Sequence, residues 1–231
     1  MTWRAWIIAP MLLLAGCGGS GGSPAPGVPP PPAATSQRGD LVSITSSASF
    51  DVAVVNAYIL ALAGLGVDTS ALNGTKYGVA LRRIVYKTIT PDGRLIDASG
   101  VLAYPLKVAG ASSPMVSYQH GTIFSDSDAP SAASDANVDP VLIVLAGSGF
   151  IVAMPDYTGY AASTNEIHTY IHAQGLAAAT VDMLRAARRL LANNNVVTNG
   201  QLFLTGYSEG GYATLAAQKE MQQNLPAEFP V

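Results

Sequence analysis

The stretch that most restricts how this chain can fold is Gln201–Gly211, Gln-Leu-Phe-Leu-Thr-Gly-Tyr-Ser-Glu-Gly-Gly. A short apolar run stops there at a Gly-x-Ser-x-Gly pentapeptide, and helix formers follow from Tyr212 (Ala-Thr-Leu-Ala-Ala-Gln-Lys-Glu-Met-Gln-Gln). A serine on a sharp strand-to-helix turn takes strained backbone angles, and the residues two before and two after it have little room for a side chain. Gly206 and Gly210 meet that demand, and Gly211 is expected to add room where the helix passes the sheet. Ser208 is thereby the candidate nucleophile. Gly18-Gly-Ser-Gly-Gly22 fits the same pattern, but in a stretch that can be neither strand nor helix, so context selects the second match.

A chain of 231 residues is long enough for one sizeable α/β domain with a real core. Lys and Arg total 12 against 15 Asp and Glu, and only 12% of residues are charged, so no basic field invites nucleic acid. The single cysteine, Cys17, excludes an intrachain disulfide framework and a cysteine metal cage. His120, His168 and His172 form no His-Glu-x-x-His pair, and neither a metal nor a cofactor is expected.

The N-terminus reads as an address. Residues 1–16 carry Arg4, an apolar run (Ile7-Ile-Ala-Pro-Met-Leu-Leu-Leu14) and then small residues, the layout of a secretory signal too short to span a bilayer. The run ends in Leu14-Ala-Gly-Cys17, which resembles the lipobox of bacterial lipoproteins. That resemblance implies cleavage before Cys17, lipid attachment to its thiol, and anchoring in the cell envelope. With Gly18 following the cysteine, it implies the outer membrane of a Gram-negative cell, secretion being the alternative. Several acyl chains together hold a protein firmly where one would not. Residues 17–37, rich in Gly, Ser and Pro, read as a tether, and 38–231 as the globular domain. Asn73-Gly-Thr75 reads as a turn.

Within the body, Phe50, Val54, Tyr58, Leu62 and Leu65 share a helical spacing that predicts a helix from Ser49 to Leu65. Tyr77–Thr90 and Leu95–Leu106 alternate around Pro91-Asp-Gly-Arg94, which predicts a hairpin. Pro114–Gln119 is a third strand, Pro140–Ala146 a short helix, and Phe150–Pro155 a fourth strand. Ala173–Asn193 is a helix whose buried face would be Leu176, Ala179, Met183, Ala187 and Leu190. Asp182, Arg185 and Arg189 would form its solvated face.

The junction after the third strand carries chemistry. Acyl transfer through a serine builds charge on the carbonyl oxygen, and each aimed backbone N–H is worth about 3 kcal/mol to it. One donor is the N–H after the nucleophile, here Glu209, and the other comes from the loop after the third strand, here the N–H of Thr122. His120 is expected to order that loop rather than act as the base.

The order of elements, with Tyr118-Gln-His-Gly-Thr122, Ala129-Pro-Ser131, Pro155-Asp-Tyr-Thr-Gly-Tyr160, Ile167-His-Thr-Tyr-Ile-His172 and Gly206-Tyr-Ser-Glu-Gly-Gly211, resembles the bacterial secretory-lipase-like branch of the α/β-hydrolases. The resemblance runs from about Tyr77 to the end. It implies an α/β-hydrolase fold, three layers with a mostly parallel sheet and helices on both faces. It also implies a serine hydrolase cleaving carboxylic esters of lipase or carboxylesterase type, with an ester or lipid substrate. In that superfamily the triad runs Ser, acid, His. Only Glu209, Glu220 and Glu228 follow Ser208 as acids, and no histidine does. The triad acid and base are therefore expected beyond Val231, the chain being the N-terminal portion of a longer enzyme. A triad drawn from Asp156, His168 or His172 would need an unusual chain order. A peptidase on the same fold, or an inactive lipoprotein that binds an envelope partner, are the competing readings.

Overall fold

The computed structural model describes residues 35–72 and 76–230. The signal peptide, Cys17, the tether up to residue 34 and the Asn73-Gly-Thr75 turn lie outside the described residues.

Alternation builds the centre. β2 (Val79–Ile89) and β3 (Leu95–Pro105) pair antiparallel from Val79↔Pro105 to Ile89↔Leu95, as the hairpin reading expects. Their turn is closed by the Thr90 N–H donating to Arg94 O at 3.0 Å. Because successive strand residues point to opposite faces, Ala80, Ile84 and Tyr86 go to one core and Val79 and Leu81 to another.

β1 (Leu41–Phe50) pairs antiparallel with β2, and it corrects the expected helix start. Phe50 is the last strand residue, Asp51 accepts the Val54 N–H at 2.9 Å, and α1 runs Val52–Gly64. The buried face is also different: Val55 and Ile59 are buried, whereas Val54 and Leu65 are exposed. Val-Ala-Val-Val…Leu-Ala-Leu-Ala is apolar all round, so spacing leaves the phase open and packing against α2 (Pro140–Gly147) selects it.

The remaining elements are β4 (Ser112–Gln119), β5 (Ile151–Pro155), α3 (Ala173–Asn193), β6 (Val197–Gly206) and α4 (Glu209–Asn224). The sheet order is β1-β2-β3-β5-β4-β6. β4 is parallel to both β5 and β6, and β2 runs with them while β1 and β3 run against. α1 and α2 pack Val55, Leu142, Ile143 and Ala146 on one face of the sheet. α3 and α4 cover the other with Met183, Leu184, Leu190, Ala217 and Met221. Full burial of each large side chain contributes about 2 kcal/mol.

α3 has the predicted limits and the predicted apolar residues are buried, but its charged residues are not a solvated face. Asp182 is fully buried, accepting from Thr88 Oγ1 of β2 (2.8 Å), Arg38 Nε (3.0 Å) and Arg185 Nη1 (2.8 Å). Arg185 reaches on to Glu228, and Arg189, half exposed, pairs with Asp40. A buried carboxylate is tolerated because three donors replace its water.

The chain passes from β4 through α2 to β5 on one side, then through α3 to β6 on the other. β4 is thus the point where successive crossovers diverge, and a crevice opens at the carboxyl ends of such strands.

Candidate active site

Three strand ends meet in that crevice: Gln119-His120-Gly121 after β4, Pro155-Asp156-Tyr157 after β5, and Gly206-Tyr207-Ser208 after β6. At the third, Ser208 holds φ +57° and ψ −120°, a conformation an L-residue rarely takes. The surrounding packing enforces it. A Cβ on Gly206 would lie 2.3 Å from Gly210 O, and one on Gly210 would lie 2.0 Å from Gln119 O and 2.6 Å from His120 O. Both glycines are therefore required by contact with main chain, as expected. Gly211 is not: a Cβ there meets nothing closer than Gly206 O at 3.8 Å, which corrects the expectation that it makes room for the helix.

Ser208 is exposed on the wall of an open cleft of about 540 Å³ that also includes His120, Gly121, Thr122, Asp128, Asp139 and Tyr207. Of the two residues expected to supply main-chain donors, Thr122 lines the cleft, and Glu209, directly after Ser208, is the first residue of α4. The cleft lining carries two aspartates and no lysine or arginine.

Each of the three histidines is engaged elsewhere. His120 Nδ1 lies 2.7 Å from Gly121 O, with Nε2 3.4 Å from Asp156 O, so the ring braces the loop after β4. His172 caps α3, Nδ1 accepting the Gly175 N–H at 3.2 Å. His168 Nε2 lies 2.8 Å from Glu209 Oε1 and Nδ1 2.9 Å from Thr158 O. Among the described residues, none of these rings is hydrogen-bonded to Ser208. Asp156 is also committed, accepting from the Ser131 N–H (2.8 Å), Ser131 Oγ and Ser99 Oγ (2.6 Å). Burial raises its pKa above the usual carboxylate range, partly offset by the serine hydrogen bonds.

Sequence reasoning missed two features here. Tyr157, fully buried with φ +68°, donates its hydroxyl to His120 O at 3.0 Å. The Glu209 side chain, also buried, turns inward to His168. Tyrosine next to Asp156 and acid next to the nucleophile are the only sequence signals of either, and neither names a partner. No group of His, Cys, Asp and Glu suited to a metal ion occurs among the described residues.

The secretory lipase family model matches residues 127–228. Among solved structures, a putative hydrolase from Legionella pneumophila superposes with a TM-score of 0.72 at 31% identity, over 83% of this chain and 50% of that one. The rice cell wall degrading esterase LipA from Xanthomonas oryzae gives 0.69 at 29% identity, over 84% and 48%. Candida antarctica lipase A gives 0.53 at 20% identity, over 82% and 40%, a likeness of fold alone. The chain therefore spans about half the length of the solved structures it matches. Among curated proteins none matches. The architecture is that of an α/β-hydrolase, shared with lipases and esterases.

Proposed function

Starting from a fold shared with lipases and esterases, we propose that this chain carries the nucleophile and oxyanion-binding part of a serine hydrolase acting on carboxylic esters. The observation that carries the proposal is Ser208, exposed in a cleft at φ +57° on a turn that only glycines at 206 and 210 permit. In this reading Ser208 Oγ attacks the acyl carbonyl carbon and its proton passes to a general base other than the three engaged histidines. The oxyanion is held by the N–H groups of Thr122 and Glu209. Collapse breaks the ester C–O bond, releases the alcohol and leaves an acyl-enzyme that water hydrolyses. With Asp128 and Asp139 in the lining and no cation, the favoured substrate carries no negative charge near the scissile bond.

The test is Ser208→Ala in the full-length protein, assayed with p-nitrophenyl butyrate. kcat should fall on the order of a million-fold, because removing an activated nucleophile forfeits nearly all triad catalysis. A loss under tenfold, or failure of a fluorophosphonate to label Ser208 in active protein, rejects the assignment.

We further propose, from Leu14-Ala-Gly-Cys17, that the protein is exported and lipid-anchored through Cys17. Among the described residues no helix is long and apolar enough to cross a membrane. Cys17→Ser should move the protein out of the membrane fraction; equal retention of variant and wild type would count against the anchor.

A further inference from the structure

Glu209 has a side chain that faces away from solvent and a partner 41 positions back in sequence. The chemistry of that partner is constrained on both sides. Thr158 O can only accept, so His168 Nδ1 must carry a proton. The 2.8 Å link from Nε2 to Glu209 Oε1 then needs one proton between the two atoms, on the ring nitrogen or on the carboxyl. The link therefore holds one proton more than a neutral imidazole and a carboxylate possess between them. Without it, a lone pair on Nε2 would face a carboxylate oxygen in a largely dry site, and the two would repel.

The aromatic surroundings fix the ring. Tyr160 packs on His168 with centroids 4.8 Å apart, and Tyr157 stacks at 6.1 Å with 22° between planes. His120 lies on Tyr157 at 4.3 Å. The backbone is strained there too: Tyr157, Ala161 and Ile171 all have positive φ, which persists only where the surroundings over-determine it. Gly159, at φ +98°, lets the strand-end loop lie against the His168 main chain, since a Cβ would come within 2.4 Å of His168 N.

We propose that the Glu209–His168 pair is a clamp that positions both proposed oxyanion donors. This rests on the reading of Ser208 as nucleophile. Glu209 contributes one donor through its N–H, and its side chain ties that peptide to His168. His168 holds Thr158, and the adjacent Tyr157 hydroxyl donates to His120 O, the carbonyl two residues ahead of the other donor, Thr122. One histidine thus braces both arms, as a positioning residue rather than a catalytic one. Among the described residues, Tyr157 and Tyr160 pack on the His168 ring, and His120 lies on Tyr157. Asp126 accepts from the Ala161 N–H, Asp156 is held by Ser99 and Ser131, and Glu166 is paired with Arg94. Burial, and secondarily the Glu209 charge, keep both tyrosine hydroxyls protonated well above neutrality.

The test is made in the full-length protein. In a ¹⁵N-labelled sample, Nδ1 of His168 should read as protonated and hydrogen-bonded, the state that Thr158 O requires. Glu209→Gln should lower kcat on p-nitrophenyl butyrate less than Glu209→Ala does, because an amide N–H can donate to Nε2 of a neutral imidazole. His168→Ala should lower kcat on the order of tenfold to a hundredfold with KM within about twofold, the usual cost of a mispositioned group. A His168 Nδ1 that carries no proton overturns the clamp, as does Ser208-dependent turnover indifferent to His168. If the wild type shows no turnover, the nucleophile reading fails while the proton on His168 Nδ1, which needs no variant to fold, still decides the clamp.

Discussion

The elbow after β6 and the buried aspartate on α3 both bring a helix hard against the sheet, and they do so by opposite means. At the elbow, contact is reached by deleting side chains: Gly206 and Gly210 let the start of α4 touch the ends of β4 and β6 at distances where a Cβ would collide with main chain. On α3, contact is reached by adding charge: Asp182 is buried and gathers Thr88, Arg38 and Arg185. The first constraint is steric and lies mostly within a few residues. The second is electrostatic and joins positions 94 and 144 apart in sequence. A steric constraint leaves a fixed signature in the residue types, whereas a network leaves only ordinary charged residues that look solvated until their partners are known.

The largest expected effect comes from breaking the steric side. Gly210→Ala places a methyl 2.0 Å from Gln119 O and 2.6 Å from His120 O, both backbone atoms of β4's end that cannot swing away. Stability should fall by at least about 4 kcal/mol, in the range reserved for severe overpacking, and ester hydrolysis should be lost with it. Urea denaturation within about 1 kcal/mol of wild type would show that the elbow yields to an added methyl and is not rigid.

Breaking the electrostatic side should cost somewhat less. Asp182→Ala leaves the Thr88 hydroxyl and the Arg38 guanidinium without their acceptor, while Arg185 loses one of its bonds and keeps Glu228. Removing one partner of a buried pair typically costs 3–5 kcal/mol. Arg38 and Arg185 retain 31% and 19% side-chain exposure and can partly rehydrate, so the low end, about 3 kcal/mol, is expected. A loss under about 1 kcal/mol would mean that Asp182 serves specificity of packing rather than stability.

The same contrast explains what the sequence disclosed. The hairpin, the limits of α3 and the two elbow glycines were legible because each follows from period or from steric demand acting locally. β1 was not: Leu-Val-Ser-Ile-Thr-Ser-Ser-Ala-Ser-Phe lies at the sheet edge, mostly exposed, so no apolar alternation marks it and its order comes from hydrogen bonds to β2. The buried side of α1 was hidden because the helix is apolar on every side. In the candidate site the sequence marked Ser208 and His120-Gly-Thr122, which the fold brings to one cleft. The bracing was not legible, since Glu209 and His168, on the loop between β5 and α3, are 41 positions apart and each has a plain local reading.

Gly211→Ala sharpens the comparison from inside the motif and carries the smallest expected effect. Gly211 follows Gly210 in the first turn of α4, its φ is not in the left-handed region, and the nearest atom to a built Cβ is Gly206 O at 3.8 Å, an ordinary contact. With no clash to offset it, the substitution should act mainly through the unfolded chain and helix propensity, where alanine gains about 0.5–1 kcal/mol over glycine. For a domain of this size that is a rise in Tm of roughly 1–4 °C, with ester hydrolysis retained. Adjacent glycines would then answer oppositely to the same added methyl, one losing the fold and the other tightening it. A destabilisation above about 1 kcal/mol at Gly211 would mean that α4 approaches β6 more closely in solution than 3.8 Å allows, and that the glycine pair acts as a unit.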